Sequence, residues 1–159
     1  MKSVAEAMGG KLLRDINPDD FLKAEDGLRG KLSERALLRA EHYFEENVRV
    51  EKALKAVDNA DEAEFLAQVN ASGKSSELKL QNLYSVHGDH KIEEALAVTA
   101  TIDGVVAQRV HGGGFAGTIL LFVKKSSSKA VNEKLNSVFG ENNVFKLSIR
   151  QSGATRVEF

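Results

Sequence analysis

Arg109-Val110-His111-Gly112-Gly113-Gly114-Phe115-Ala116-Gly117-Thr118 lies between two apolar runs, and the way the chain leaves it decides the fold. The four glycines at 112, 113, 114 and 117 crowd into six positions. A glycine costs roughly 0.5–1 kcal/mol relative to alanine in a regular element, so the cluster implies a turn with positive φ or a close approach to other atoms. Gly112-x-Gly114-x-x-Gly117 has the spelling of the dinucleotide fingerprint. That fingerprint needs a helix opening at the glycines and an acid about 20 residues further on. Here the continuation is Thr118-Ile119-Leu120-Leu121-Phe122-Val123, β-branched and apolar, which reads as a strand. A pyrophosphate would find no helix N-terminus there, and no Lys-Ser/Thr pair follows the glycines to make a Walker loop. The stretch is therefore a glycine-rich loop joining two strands. Spacing alone leaves two roles open: a plain turn, or a loop lying beside a phosphate or substrate.

Working outward, Val105–Val110 forms the strand before the loop, and Gly104 ends the helix that precedes it, with apolar positions from Ile92 to Ile102. Asp89 in His87-Gly88-Asp89-His90 is placed to cap that helix. Further upstream, Ser33 is a good N-cap for the longest element, Glu34 to Val57, which contains neither proline nor glycine. Leu37, Ala40, Phe44 and Val48 follow one face of it, and Val50, Leu54 and Val57 carry the face on. Asn17-Pro18-Asp19-Asp20 opens a shorter helix, Pro18 to Glu25, before Gly27. A helix from Asp61 to about Ala71 is interrupted at Ser72-Gly73-Lys74-Ser75-Ser76, and helical character resumes from Glu77 to Tyr84. Downstream of the loop, Ser126-Ser127-Ser128 caps a helix from Lys129 to about Phe139, closed by Gly140. Val144–Arg150 and Ala154–Phe159 read as two last strands joined at Gln151-Ser152-Gly153. Helices first and clustered strands after predict an α+β fold, with helices on one face of a mainly antiparallel sheet of about four strands. The expectation is a single domain over residues 1–159.

Composition narrows the function classes. The 159 residues are 42% hydrophobic and 28% charged, with a formal net charge of −1, which gives no electrostatic case for nucleic acid or an anionic membrane. There is no cysteine, so disulfides, thiolate catalysis and thiolate metal sites are excluded, and a cytoplasmic location fits. The apolar run Ile119–Val123 is far too short to span a bilayer, and the N-terminus lacks the apolar centre of a signal peptide.

Several polar groups are candidate sites. His87, Asp89 and His90 offer imidazole and carboxylate to a metal, although the spacing matches no recognised zinc arrangement and a solvated loop is the default. Ser72, Ser75 and Ser76 lie near a predicted helix end, where hydroxyls and free N–H groups suit an anion or a plain connection. His42, Asn47 and Arg49 sit on the long helix, and the pairs Asp19-Asp20 and Glu45-Glu46 read as helix-start and surface charges rather than catalytic carboxylates.

Taken together, the segments Leu38–Val50, Ala71–Ser76 with Leu80–Tyr84, Arg109–Thr118, and Phe139-Gly140 through Arg150 with Gly153-Ala154 resemble the C-terminal domain of galactokinases, within the galacto-, homoserine, mevalonate and phosphomevalonate kinase superfamily. Arg109–Thr118 is similar to the third motif of that superfamily. The resemblance implies transfer of the ATP γ-phosphoryl group to galactose, with ATP and Mg2+ as cofactors of the parent enzyme and none bound by this chain alone. It implies that Gly112, Gly113, Gly114, Phe115, Ala116 and Gly117 form one wall of the active-site cleft, beside the phosphate loop and the sugar, with Ser72, Ser75 and Ser76 as weaker candidates. It assigns no catalytic residue and no metal ligand to this chain. The family's sugar-binding, phosphate-cradling and catalytic-aspartate motifs have no counterpart in this sequence, so an N-terminal ATP-binding domain is the expected partner. Pairing of two copies through the face turned toward that domain is also expected. Alternative readings are a non-enzymatic sugar-sensing or interaction module, or a kinase for a related sugar such as N-acetylgalactosamine.

Overall fold

The structure is a computed structural model that describes residues 1–84, 88–114, 117–149, 152–153 and 156. The predicted last strand, Ala154–Phe159, lies outside the described residues except for Arg156. Among them the chain forms six α-helices and one antiparallel pair of strands, so the α+β class holds, and two of the about four expected strands lie among the described residues.

The helical part is built on α3, Glu34–Asp58. The Ser33 hydroxyl accepts from the Ala36 N–H at its start, as an N-cap should. α1, Lys2–Ala7, and α2, Pro18–Leu28, lie against its first half. Asn17 caps α2 by accepting from Asp19 N at 2.8 Å, and Pro18 occupies the first helical position. α2 runs past Gly27 to Leu28, a turn further than the glycine predicts. Val4, Leu13, Phe21, Leu28, Leu37 and Phe44 bury together, with the Phe21 and Phe44 rings 4.9 Å apart. Full burial of side chains of this size contributes about 1.5–3 kcal/mol each. The second half of α3 differs from the sequence expectation: Val50, Leu54 and Val57 are 65%, 60% and 60% exposed.

α4, Glu62–Ser75, returns beside α3. It does not stop at Ser72 but continues through Gly73 and runs on into a π-turn, Ser76–Leu80. Gln81 then breaks the chain in a left-handed conformation, φ 58° and ψ 52°. α5, Lys91–Thr99, leads into β1, Val105–Val110, which pairs with β2, Ile119–Val123. The register runs from Val105 opposite Val123 to Val110 opposite Ile119, with an irregularity between Val105 and Ala107. Leu83, Ile92 and Val110 form a second small core beneath the hairpin, joined by Leu96 and Ile119. α6, Ser128–Phe139, follows a short 3-10 turn and buries Val131 and Leu135.

Val144–Ile149 alternates like a strand but joins no ladder among the described residues, and Phe145, Leu147 and Ile149 are 76%, 72% and 91% exposed. One edge of the hairpin is closed to it, because α4 lies along β1. Asn70 Nδ2 donates to Val106 O at 3.2 Å, and Asn70 Oδ1 accepts from Gln108 N at 3.1 Å. An asparagine amide there takes the place of a neighbouring strand, and a covered edge cannot recruit another. No described helix is long and apolar enough to cross a membrane.

Candidate functional site

The glycine loop leaves β1 at His111 and closes as a hairpin, with His111 N donating to Thr118 O at 2.9 Å and Gly117 N donating to Gly114 O at 3.0 Å. Phe115 and Ala116 lie outside the described residues. The loop is tucked against the segment that follows the π-turn. A Cβ on Gly114 would stand 2.0 Å from Asn82 O, so only a glycine backbone passes there, and its φ of 83° is one that other residues rarely adopt. Asn82 is buried, and its Oδ1 has no hydrogen-bond partner among the described residues.

Beside this contact lies a cavity of about 150 Å³, walled by Asn82, Leu83, Tyr84, Ile92, Gly114 and Gly117. Asp89 and Lys91 stand at its charged side. The Asp89 carboxyl is held below its usual range first by the Lys91 backbone N–H that it accepts from. His90 contacts the Glu93 carboxylate, which raises the imidazole above its ordinary value. The Tyr84 and His90 rings lie 5.6 Å apart. Asp89 and His90 thus organise the start of α5, and His87 lies outside the described residues. Among the described residues, no three His, Asp or Glu side chains gather to hold a metal.

The serines named from the sequence are placed differently from an anion site. Ser72, Ser75 and Ser76 are 4%, 5% and 1% exposed, within α4 and the π-turn. Ser72 Oγ donates to Glu46 Oε2 at 2.6 Å and accepts from Arg109 Nη1 at 2.7 Å. Ser75 Oγ meets His42 Nδ1 at 2.9 Å. Ser72 and Ser75 belong to the seam joining α3, α4 and β1. Arg49 and Glu46 belong to the same seam: Arg49 Nη1 donates to Glu46 at 2.6 Å and Nη2 to Glu45 at 2.7 Å. Lys79 continues the line, pairing with Glu41 at 2.9 Å and with Glu45. Burial acts to raise the Glu45 carboxyl, but Lys79 and Arg49 outweigh it and hold that group below its ordinary range. Sequence reasoning did not find Asn70 or Asn82, because one asparagine in a helix and one in a loop carry no periodic or motif signal.

His42 gives a pH prediction. Burial pushes its imidazole below the ordinary histidine value, so the unfolded chain binds a proton at a pH where the folded chain does not. Stability must therefore fall as the pH drops below about 6.5, with a slope of at most ~1.4 kcal/mol per pH unit from this group. Urea midpoints of the wild type and His42→Gln between pH 7.5 and pH 5 check it. The wild-type curve should fall more steeply; parallel curves would refute the assignment.

No protein-family model matches this chain. Curated galactokinases do match it. The galactokinase of Thermotoga neapolitana is 27% identical over 151 residues, covering 93% of this chain and 38% of that protein. That of Thermosipho africanus is 30% identical over 164 aligned positions, covering 99% of this chain and 42% of the relative. That of Staphylococcus carnosus is 38% identical over 105 residues, 65% of this chain and 25% of the relative. The chain resembles galactokinases, which are kinases by name, along almost its whole length. It spans about two-fifths of the length of the Thermotoga and Thermosipho relatives.

Proposed function

We propose that this chain is the C-terminal part of a galactokinase, a cytoplasmic phosphotransferase that moves the γ-phosphoryl group of ATP to galactose. The observation that carries the reading is the similarity to a galactokinase across 99% of the chain, glycine loop included. The placement of Gly114 and Gly117 on the wall of a cavity supports it, since a loop that merely turned the chain has no need of a concave neighbour. In this reading Gly112, Gly113, Gly114, Phe115, Ala116 and Gly117 form one wall of the reaction cleft, and close passage of bare backbone is their contribution. In this reading Mg2+ and the ATP phosphates are held by an N-terminal kinase domain, as the resemblance to galactokinases implies. Magnesium-ATP supplies the transferred group; this chain shapes and closes the space in which transfer occurs.

The test uses the full-length protein as cells make it, isolated through an affinity tag. Galactose-dependent release of ADP, well above the rate with glucose, is expected. A product that binds galactose and ATP without releasing ADP would refute the kinase reading.

A further inference from the structure

The glycine loop meets Asn82 at Gly114 and continues directly from the end of β1. It inherits its position from β1, and β1 is held on its outer edge by a helix rather than by a strand. Three residues of α4, Asn70, Ser72 and Gly73, do the holding. Asn70 brackets the strand with two hydrogen bonds, to Val106 O and from Gln108 N. Gly73 lets the helix come close: a Cβ there would lie 2.8 Å from Gln108 O and 3.1 Å from Arg109 Cβ. Ser72 takes the Arg109 guanidinium and passes the bond on to Glu46. No ion pair of Arg109 with a carboxylate occurs among the described residues, so the Ser72 hydroxyl is the link between that cation and the acids of α3. Arg109 also donates through Nε to Val110 O, at the last residue of the strand before the loop.

We infer that Ser72 and Asn70 are positioning residues for the glycine loop, setting through Arg109 and the β1 backbone where Gly112–Gly114 stands over Asn82. The inference rests on the galactokinase reading for its purpose, though not for its geometry. Neither side chain lines the cavity, so neither is a binding group.

Amide NMR on this chain tests the geometry. Ser72→Ala and Asn70→Ala should shift the amide resonances of residues 108–114 and speed their hydrogen exchange about tenfold, the loss of one hydrogen bond to a charged or edge group. The amides of α1 and α2 should stay where they are. Asn70→Asp supplies a signature that loss of packing cannot imitate. Near neutral pH its carboxylate faces the Val106 carbonyl and repels it; below about pH 4 the acid regains a proton to donate, and the loop resonances should return toward wild type. Loop amides unmoved in both alanine variants, or an Asn70→Asp perturbation indifferent to pH, overturn the inference. In the tagged protein, Ser72→Ala should lower kcat for galactose while leaving KM within twofold. Loop amides that move in a protein that never phosphorylates galactose would sink the proposed function and leave the positioning role standing.

Discussion

Gly114→Ala is expected to dislodge the glycine loop and destabilise the chain by about 2–6 kcal/mol. Two effects add. The residue sits at φ 83°, where an L side chain is strained by about 1–3 kcal/mol. Its Cβ would overlap the Asn82 carbonyl oxygen at 2.0 Å, and relieving an overlap of backbone against side chain takes about another 1–3 kcal/mol. Against a typical total of about 5–15 kcal/mol this is a large fraction. At roughly 2–4 °C per kcal/mol for a chain of this size, the melting temperature should drop by about 5–20 °C. Asn82 cannot retreat easily, because it is buried and follows the left-handed Gln81. The loop therefore lifts away from the cavity, and, on the galactokinase reading proposed above, galactose-dependent turnover of the tagged protein should vanish. Gly112→Ala is the control: it too has a positive φ, but no described residue lies within 4 Å of its Cβ. Its effect should stay near about 1–2 kcal/mol, the strain alone. Equal losses in the two variants would show that contact with Asn82 is not what demands glycine at 114.

Glycines show both what a sequence discloses and what it hides. The cluster at 112–117 is legible because several glycines between two β-branched runs can serve little besides a turn or a close approach. Both strands form as read, at Val105–Val110 and Ile119–Val123. Gly73 misleads for the opposite reason. Among serines and a lysine it spells a loop, whereas the structure keeps it in α4 because Gln108 O needs the room. Local composition encodes the absence of a side chain without saying whether φ or a neighbour requires it. The serines read as part of an anion site or a plain connection; Ser72 and Ser75 are buried partners of Glu46, Arg109 and His42.

Longer-range facts were invisible for a simpler reason. The edge clamp by Asn70 joins residues 36 and 38 positions apart, and nothing local distinguishes that asparagine from a surface one. The alternation at Val144–Ile149 is a strand signal, yet alternation specifies only a surface with two unlike faces, and its predicted partner, Ala154–Phe159, lies outside the described residues except for Arg156. The caps at Ser33 and Asn17 hold, since each acts on an N–H group two or three residues away, whereas the predicted serine cap of α6 makes no side-chain hydrogen bond at Ser127.

Gly104→Ala should be the most damaging change outside the loop, again by about 2–6 kcal/mol. Gly104 has φ 95°, which carries the same strain of about 1–3 kcal/mol. Its Cβ would stand 2.4 Å from Ser127 Cβ and 3.2 Å from Val131 Cγ2, so the start of α6 would have to move, at about 1–3 kcal/mol for an overpacked contact. The position also joins the two strands, because Lys124 N donates to Gly104 O at 2.8 Å where β2 ends and β1 is about to begin. Displacing it therefore loosens α6 and the open end of the hairpin together, while the opposite end, at His111 and Thr118, is reached only through the ladder. A melt of Gly104→Ala should come about 5–20 °C below wild type. Ser127→Gly in the same chain should restore part of the loss, because removing Ser127 Cβ removes the 2.4 Å overlap but leaves the strained φ. Rescue of about half is the expected result; no rescue at all would assign the whole effect to the backbone conformation and remove α6 from the account.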